Sequence, residues 1–107
     1  MRPGLALVLL LALGSHAPAE ETASAWQQQK CSLYEKAWGR AIDQVGSDDL
    51  NYNFIAMNEN FIASGCRDNS RACPQSIEEI EIANLLSIVM MNEGVASTFL
   101  PFGCASQ

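Results

Sequence analysis

The chain has 107 residues, 49% of them hydrophobic, and sets twelve acidic side chains against six Lys and Arg for a formal charge of −6. That length makes one domain. The charge, with no basic stripe to counter it, excludes phosphate backbones and anionic lipid surfaces as partners and leaves a cationic protein surface compatible.

The first element is the opening run MRPGLALVLLLALGSHAPAEE. Arg2 gives a positive start, Leu5 to Leu13 an apolar stretch, and Ala17-Pro18-Ala19 the small residues at which a signal peptidase cuts. The stretch is too short to cross a ~30 Å hydrocarbon core. Residues 1–19 are therefore expected to be a cleaved signal peptide, with a second cut site after Ala23-Ser24-Ala25. Residues 20–107 then form an exported helical domain, periplasmic or secreted, with no stable membrane insertion. All twelve acids fall in it, against Lys30, Lys36, Arg40, Arg67 and Arg71.

A domain this small buries only a little over ~60% of its unfolded surface and needs added support. Cys31, Cys66, Cys73 and Cys104 all lie beyond the signal. An even count in a short exported chain reads as two disulfides, each contributing ~2–4 kcal/mol. A zinc site brings cysteines in close pairs, and no CxxC occurs here.

Residues 20–29 are polar and expected to fray, with Trp26 ahead of the periodic region as an exposed anchor for a partner. Tyr34, Ala37, Trp38, Ala41 and Val45 then recur at helical spacing, predicting a helix from about Gln27 to Val45 that Gly46 stops. SDDLN turns the chain and offers caps for a second helix, about Leu50 to Ser64, with Phe54, Met57, Asn58, Phe61 and Ile62 inward. CRDNSRACP is a polar loop. Ser76, with Glu79 three residues on, is a capping box and opens a third helix from Ile77 to Glu93. From Ile82 onward that helix is apolar almost all round, so it is expected at the enclosed centre of the bundle. Glu78, Glu79 and Glu81 read as a solvated acidic first turn. Gly94 permits a break, and Val95 to Leu100 a short fourth helix before Pro101.

The fold class is thus all-α: a small bundle of three main helices plus a short C-terminal helix, with two disulfides. If short links make successive helices antiparallel, all four cysteines gather at one pole. Three pairings remain open; 31–66 with 73–104 is favoured.

MNENFIASGC and MNEGVASTF nearly echo each other and raise the question of a paired acidic site. In the expected bundle Glu93 lies level with Asn51, ~12 Å of helix from Glu59. Paired carboxylates work at ~5–9 Å. Asn58, Asn92 and Glu93 are instead expected to hydrogen-bond around the Gly94 break, to stand simply exposed, or, with Glu59 and Trp26, to face a partner. His16 falls in the signal, so the mature domain lacks the histidine that triad catalysis, histidine metal ligation and a pH switch require. No phosphate loop or calcium loop occurs, and no cofactor, metal or catalytic residue is expected.

The residues Cys31, Tyr34, Ala37 and Trp38, then NENFIASGC, ACPQSIEEIEIAN and MNEGVASTFLPFGC, resemble small exported helical proteins of unknown function from alphaproteobacteria. That resemblance implies no activity. In size and layout the chain is also similar to exported immunity proteins and small periplasmic chaperones. The expected function is that of a non-enzymatic binding or accessory protein acting through contact with another protein, inhibitor-like or immunity-like. A small chaperone or envelope stress protein is the alternative, and a carboxylate-only hydrolase a distant third.

Overall fold

A computed structural model describes residues 19–105, with side chains from Ala23 onward; the expected signal peptide, residues 1–19, lies outside the described residues except for Ala19. Three α-helices are present among them: α1 (Ala19–Val45), α2 (Tyr52–Ala63) and α3 (Ile77–Asn92), followed by a 3-10 turn over Ser97–Phe99. The fold is all-α, as the periodicity predicts, and it carries two disulfides, Cys31–Cys66 and Cys73–Cys104.

Helix α1 begins earlier than its apolar pattern indicates, because alanine, glutamate and glutamine between residues 19 and 29 favour helix without needing a buried face. Asn51 caps α2 by accepting a hydrogen bond from the Asn53 backbone N–H at 2.8 Å. Ser76 and Glu79 form the predicted capping box on α3. Gly94, at φ +85°, ends α3, and the Val95 N–H closes the end on the Met90 carbonyl at 3.1 Å. That pattern is the Schellman motif, which needs a left-handed residue at this place.

The helices do not alternate in direction throughout. Glu79, in the first turn of α3, accepts a hydrogen bond from Asn51 at the start of α2. Beyond the far end of α3, Phe99 packs edge-on against Phe61 in the last part of α2, ring centres 5.4 Å apart. So α2 and α3 run parallel, and both run against α1. The connector 64–76 is the reason. At ~3.3 Å per residue it has the length to retrace α2 before α3 begins, so the rule that short links give antiparallel neighbours does not apply to it.

The expectation that the four cysteines share one pole is therefore overturned. Cys31–Cys66 lies at the end of α2 and Cys73–Cys104 toward its start, where Phe102 stacks on Phe54 at 6.1 Å. The centre of the molecule also differs from expectation. Helix α1 packs most extensively on α3 and more thinly on α2. The space between α2 and α3 is filled by irregular chain. The connector and the C-terminal tail lie parallel there, joined by Ala72 N–H to Pro101 O at 2.7 Å and Gly103 N–H to Ala72 O at 3.1 Å. The core draws Tyr34, Trp38 and Ala41 from α1, Phe54 and Phe61 from α2, Ile82, Leu86 and Met90 from α3, and Ala72, Val95 and Leu100 from the irregular chain.

Candidate functional site

Helix α3 buries one face, carrying Glu79, Ile82, Ala83, Leu86 and Met90. The opposite face is largely apolar too, and none of the described residues covers it. Ile77 is 79% exposed, Ile80 46%, Ile88 60% and Met91 54%. At 100° per residue these four fall within one band about 80° wide along the helix, on the side turned away from the core. The enclosed α3 expected from its composition is thus corrected. An all-round apolar helix needs neighbours on every side, and the chain spends its remaining length on the tail that fills the α2–α3 gap. The apolar ridge is the feature that sequence reasoning missed. Its signal was present, in isoleucines at positions 77, 80 and 88 that no predicted neighbour was available to bury.

The ridge borders a groove on α1. Leu85 and Val89 of α3 face Ala37, Arg40, Ala41 and Gln44 across it. Its volume of about 140 Å³ is below the ~300 Å³ at which small-molecule sites begin. The flat, narrow relief suits a protein surface.

The residues singled out from the sequence scatter around this ridge. Trp26 is 39% exposed, with the Lys30 ammonium 5.8 Å from its ring. Lys30 also stands 4.9 Å from the Phe99 ring, which ties the early part of α1 to the tail. Asn58 is fully buried. Its oxygen accepts from the Tyr34 hydroxyl, and its Nδ2 donates to the Phe54 carbonyl at 2.9 Å. Both ends of the amide are engaged inside the fold, so it presents nothing to a partner. Asn92 and Glu93 are exposed at the end of α3, where Glu93 is the C-cap residue. The break they were expected to hold is made by Gly94 and the Val95 N–H.

Glu59 sits beside Trp38, Gly39, Ile42 and Asp43, in the seam between α1 and α2. That seam and the α3 groove lie on different flanks of α1, and Glu93 caps the end of α3 and lines neither. The expected level of Glu93, beside Asn51, is corrected: Glu79 occupies that position. Among the described residues there is no group of three or more His, Cys, Asp or Glu side chains that could hold a metal ion. None of the helices among them is long and apolar enough to cross a membrane.

Glu79 is the acid whose place differs most from expectation. It is buried, not solvated. One carboxylate oxygen accepts from Asn51 N–H at 2.7 Å; the other accepts from Gln75 N–H at 2.9 Å and Ser76 N–H at 3.4 Å. Burial pushes its carboxyl up, but the three backbone donors outweigh burial and hold it below the usual range. Its chemistry is that of a brace between two helix starts, with both carboxylate oxygens facing backbone donors rather than a substrate. Comparison with family models, curated proteins and solved structures finds no match.

Proposed function

We propose that the protein acts by protein–protein contact through the outward face of α3, as a non-enzymatic binding or accessory protein of the periplasm or the exterior. The observation that carries this reading is the row Ile77, Ile80, Ile88 and Met91, left open to solvent on a helix whose other face is locked into the core. Four large apolar side chains in one band are more than the scattered exposure of an ordinary surface, and contiguous patches of this kind mark contact sites. The scaffold beneath is suited to display them. Cys31–Cys66 ties α1 to the end of α2, Cys73–Cys104 closes the loop of chain that contains α3, and the Glu79 brace joins the start of α3 to the start of α2, so little ordering cost is added on binding.

The test is recovery of partners from a periplasmic extract with the wild-type protein and with Ile88→Glu as baits. Ile88 is exposed, so the substitution is expected to change stability by no more than about 0.5 kcal/mol, checked by thermal unfolding. The expected result is one protein retained in stoichiometric amount by the wild type and lost by the variant. Many substoichiometric clients, lost in the same way, would favour the chaperone reading. Equal recovery by both baits would remove α3 from the role.

A further inference from the structure

The ridge on α3 is matched to its own reversed copy. Ile77 and Met91 stand equally far from Asn84 along the helix, and so do Ile80 and Ile88. Asn84 is itself exposed, in the same band. Isologous contacts require this kind of pattern: residue i of one copy meets j of the other, and j meets i. Two α3 helices packed antiparallel about a two-fold axis at Asn84 set Ile77 on Met91, Ile80 on Ile88, and Asn84 on its counterpart. A side-chain amide carries both donors and an acceptor, so the two Asn84 side chains can satisfy one another at the axis.

The charges agree with the same arrangement. A two-fold axis that reverses the helices keeps the α1 flank of both copies on one side of the seam. Glu81 lies on that flank of α3, one turn before Leu85. Arg40 of α1 lies across the groove from Leu85 and Val89. Reversal about Asn84 brings Glu81 level with Ser87 of the second copy, between its Leu85 and Val89, which is the level of its Arg40. Each copy's acid thereby faces the other copy's cation, and the symmetry makes the contact twice. Glu93 falls level with Gln75 of the second copy, so the helix ends do not oppose acid to acid.

The exposed parts of Ile77, Ile80, Ile88, Val89 and Met91 amount to on the order of 500 Å². Two copies together cover on the order of 1,000 Å², the lower end of specific interfaces, where association is reversible and weak.

We infer that the outward face of α3 pairs with the same face of a second copy of this chain, antiparallel about Asn84, with Glu81 of each copy on Arg40 of the other. This rests on the reading of the α3 face as a protein-contact surface and names its occupant. Sedimentation equilibrium of the full protein across micromolar to millimolar concentration is the test. A reversible monomer–dimer equilibrium is expected. Glu81→Arg or Arg40→Glu alone should weaken it about tenfold, by setting like charges opposite each other. The two together should restore it to within about threefold, because the swap remakes the pair. Ile88→Glu should abolish it with the unfolding midpoint unchanged. A strict monomer at every concentration, or a dimer indifferent to the charge swaps, overturns the pairing. If the strict monomer also captures a partner that Ile88→Glu loses, α3 remains a contact surface for a different protein. If neither bait captures one, the contact reading falls as well.

Discussion

Tyr34 and Asn58 are both fully buried polar side chains, and they meet. The Tyr34 ring packs edge-on against Phe61 at 5.1 Å and Phe99 at 6.3 Å. Burial pushes its hydroxyl far above the ordinary phenol range, so it remains a neutral donor. Removing that donor strands the Asn58 oxygen in an apolar core. Tyr34→Phe is therefore expected to cost about 1–3 kcal/mol in denaturant unfolding, although it deletes a single atom. Glu79 is the other fully buried polar residue of the core. Its carboxyl is lower in the folded state than in the unfolded chain, so the charged form stabilises the fold above the unfolded value of ~4.3. That contribution is lost as pH falls through the folded value. Asp68, held low chiefly by the Ser70 backbone N–H, acts in the same direction. Stability measured by urea unfolding should thus be level above about pH 5 and decline below ~4.3, and Glu79→Gln should flatten the decline while lowering the plateau.

At the level of elements, the helix starts and stops were legible, apart from the start of α1 at Ala19, and the path between them was not. Asn51, Ser76 and Glu79 are local signals, because a cap acts on the two or three backbone groups beside it. Gly46, Gly65 and Gly94 mark stops for an equally local reason, each holding positive φ. The connector 64–76 carries no hydrophobic period, so nothing in its composition says that it doubles back along α2. That one omission misplaced Cys73, Glu79 and Glu93 together. The end of α2 shows how much depends on distant partners. Cys66 takes φ +61°, unusual for a residue with a side chain. It is held there by its disulfide, by its N–H to the Phe61 carbonyl at 2.8 Å, and by Gln27. The Gln27 Nε2 donates to the Gly65 and Cys66 carbonyls at 3.0 and 3.1 Å. Gln27→Ala is expected to cost about 1 kcal/mol and to raise hydrogen exchange at residues 64–68 more than in α3. Gln27 stands where the segment expected to fray overlaps the start of the predicted first helix, and the sequence carries no sign of this contact because its acceptors lie across the molecule.

For the molecule as a whole, helix propensity and the cysteine count gave the class and the number of bridges, while the site depended on which surfaces remained uncovered. An apolar face of α3 and an enclosed α3 have the same sequence; only the route of the tail separates them. The two bridges divide the stabilisation nearly evenly, since their sequence separations are 35 and 31. Replacing either pair by alanine should lower unfolding free energy by about 3–4 kcal/mol. The two losses should differ in where they act: the 31–66 pair frees the α1–α2 hairpin, and the 73–104 pair frees the tail from the connector, as site-resolved hydrogen exchange would show.

The bridges also follow one another along the chain without crossing or nesting: first cysteine to second, third to fourth. A chain oxidised from its amino end as it emerges meets its correct mates in order of appearance. Oxidative refolding of the reduced chain is therefore expected to reach the native pairing with an oxidant alone, without help from a shuffling enzyme.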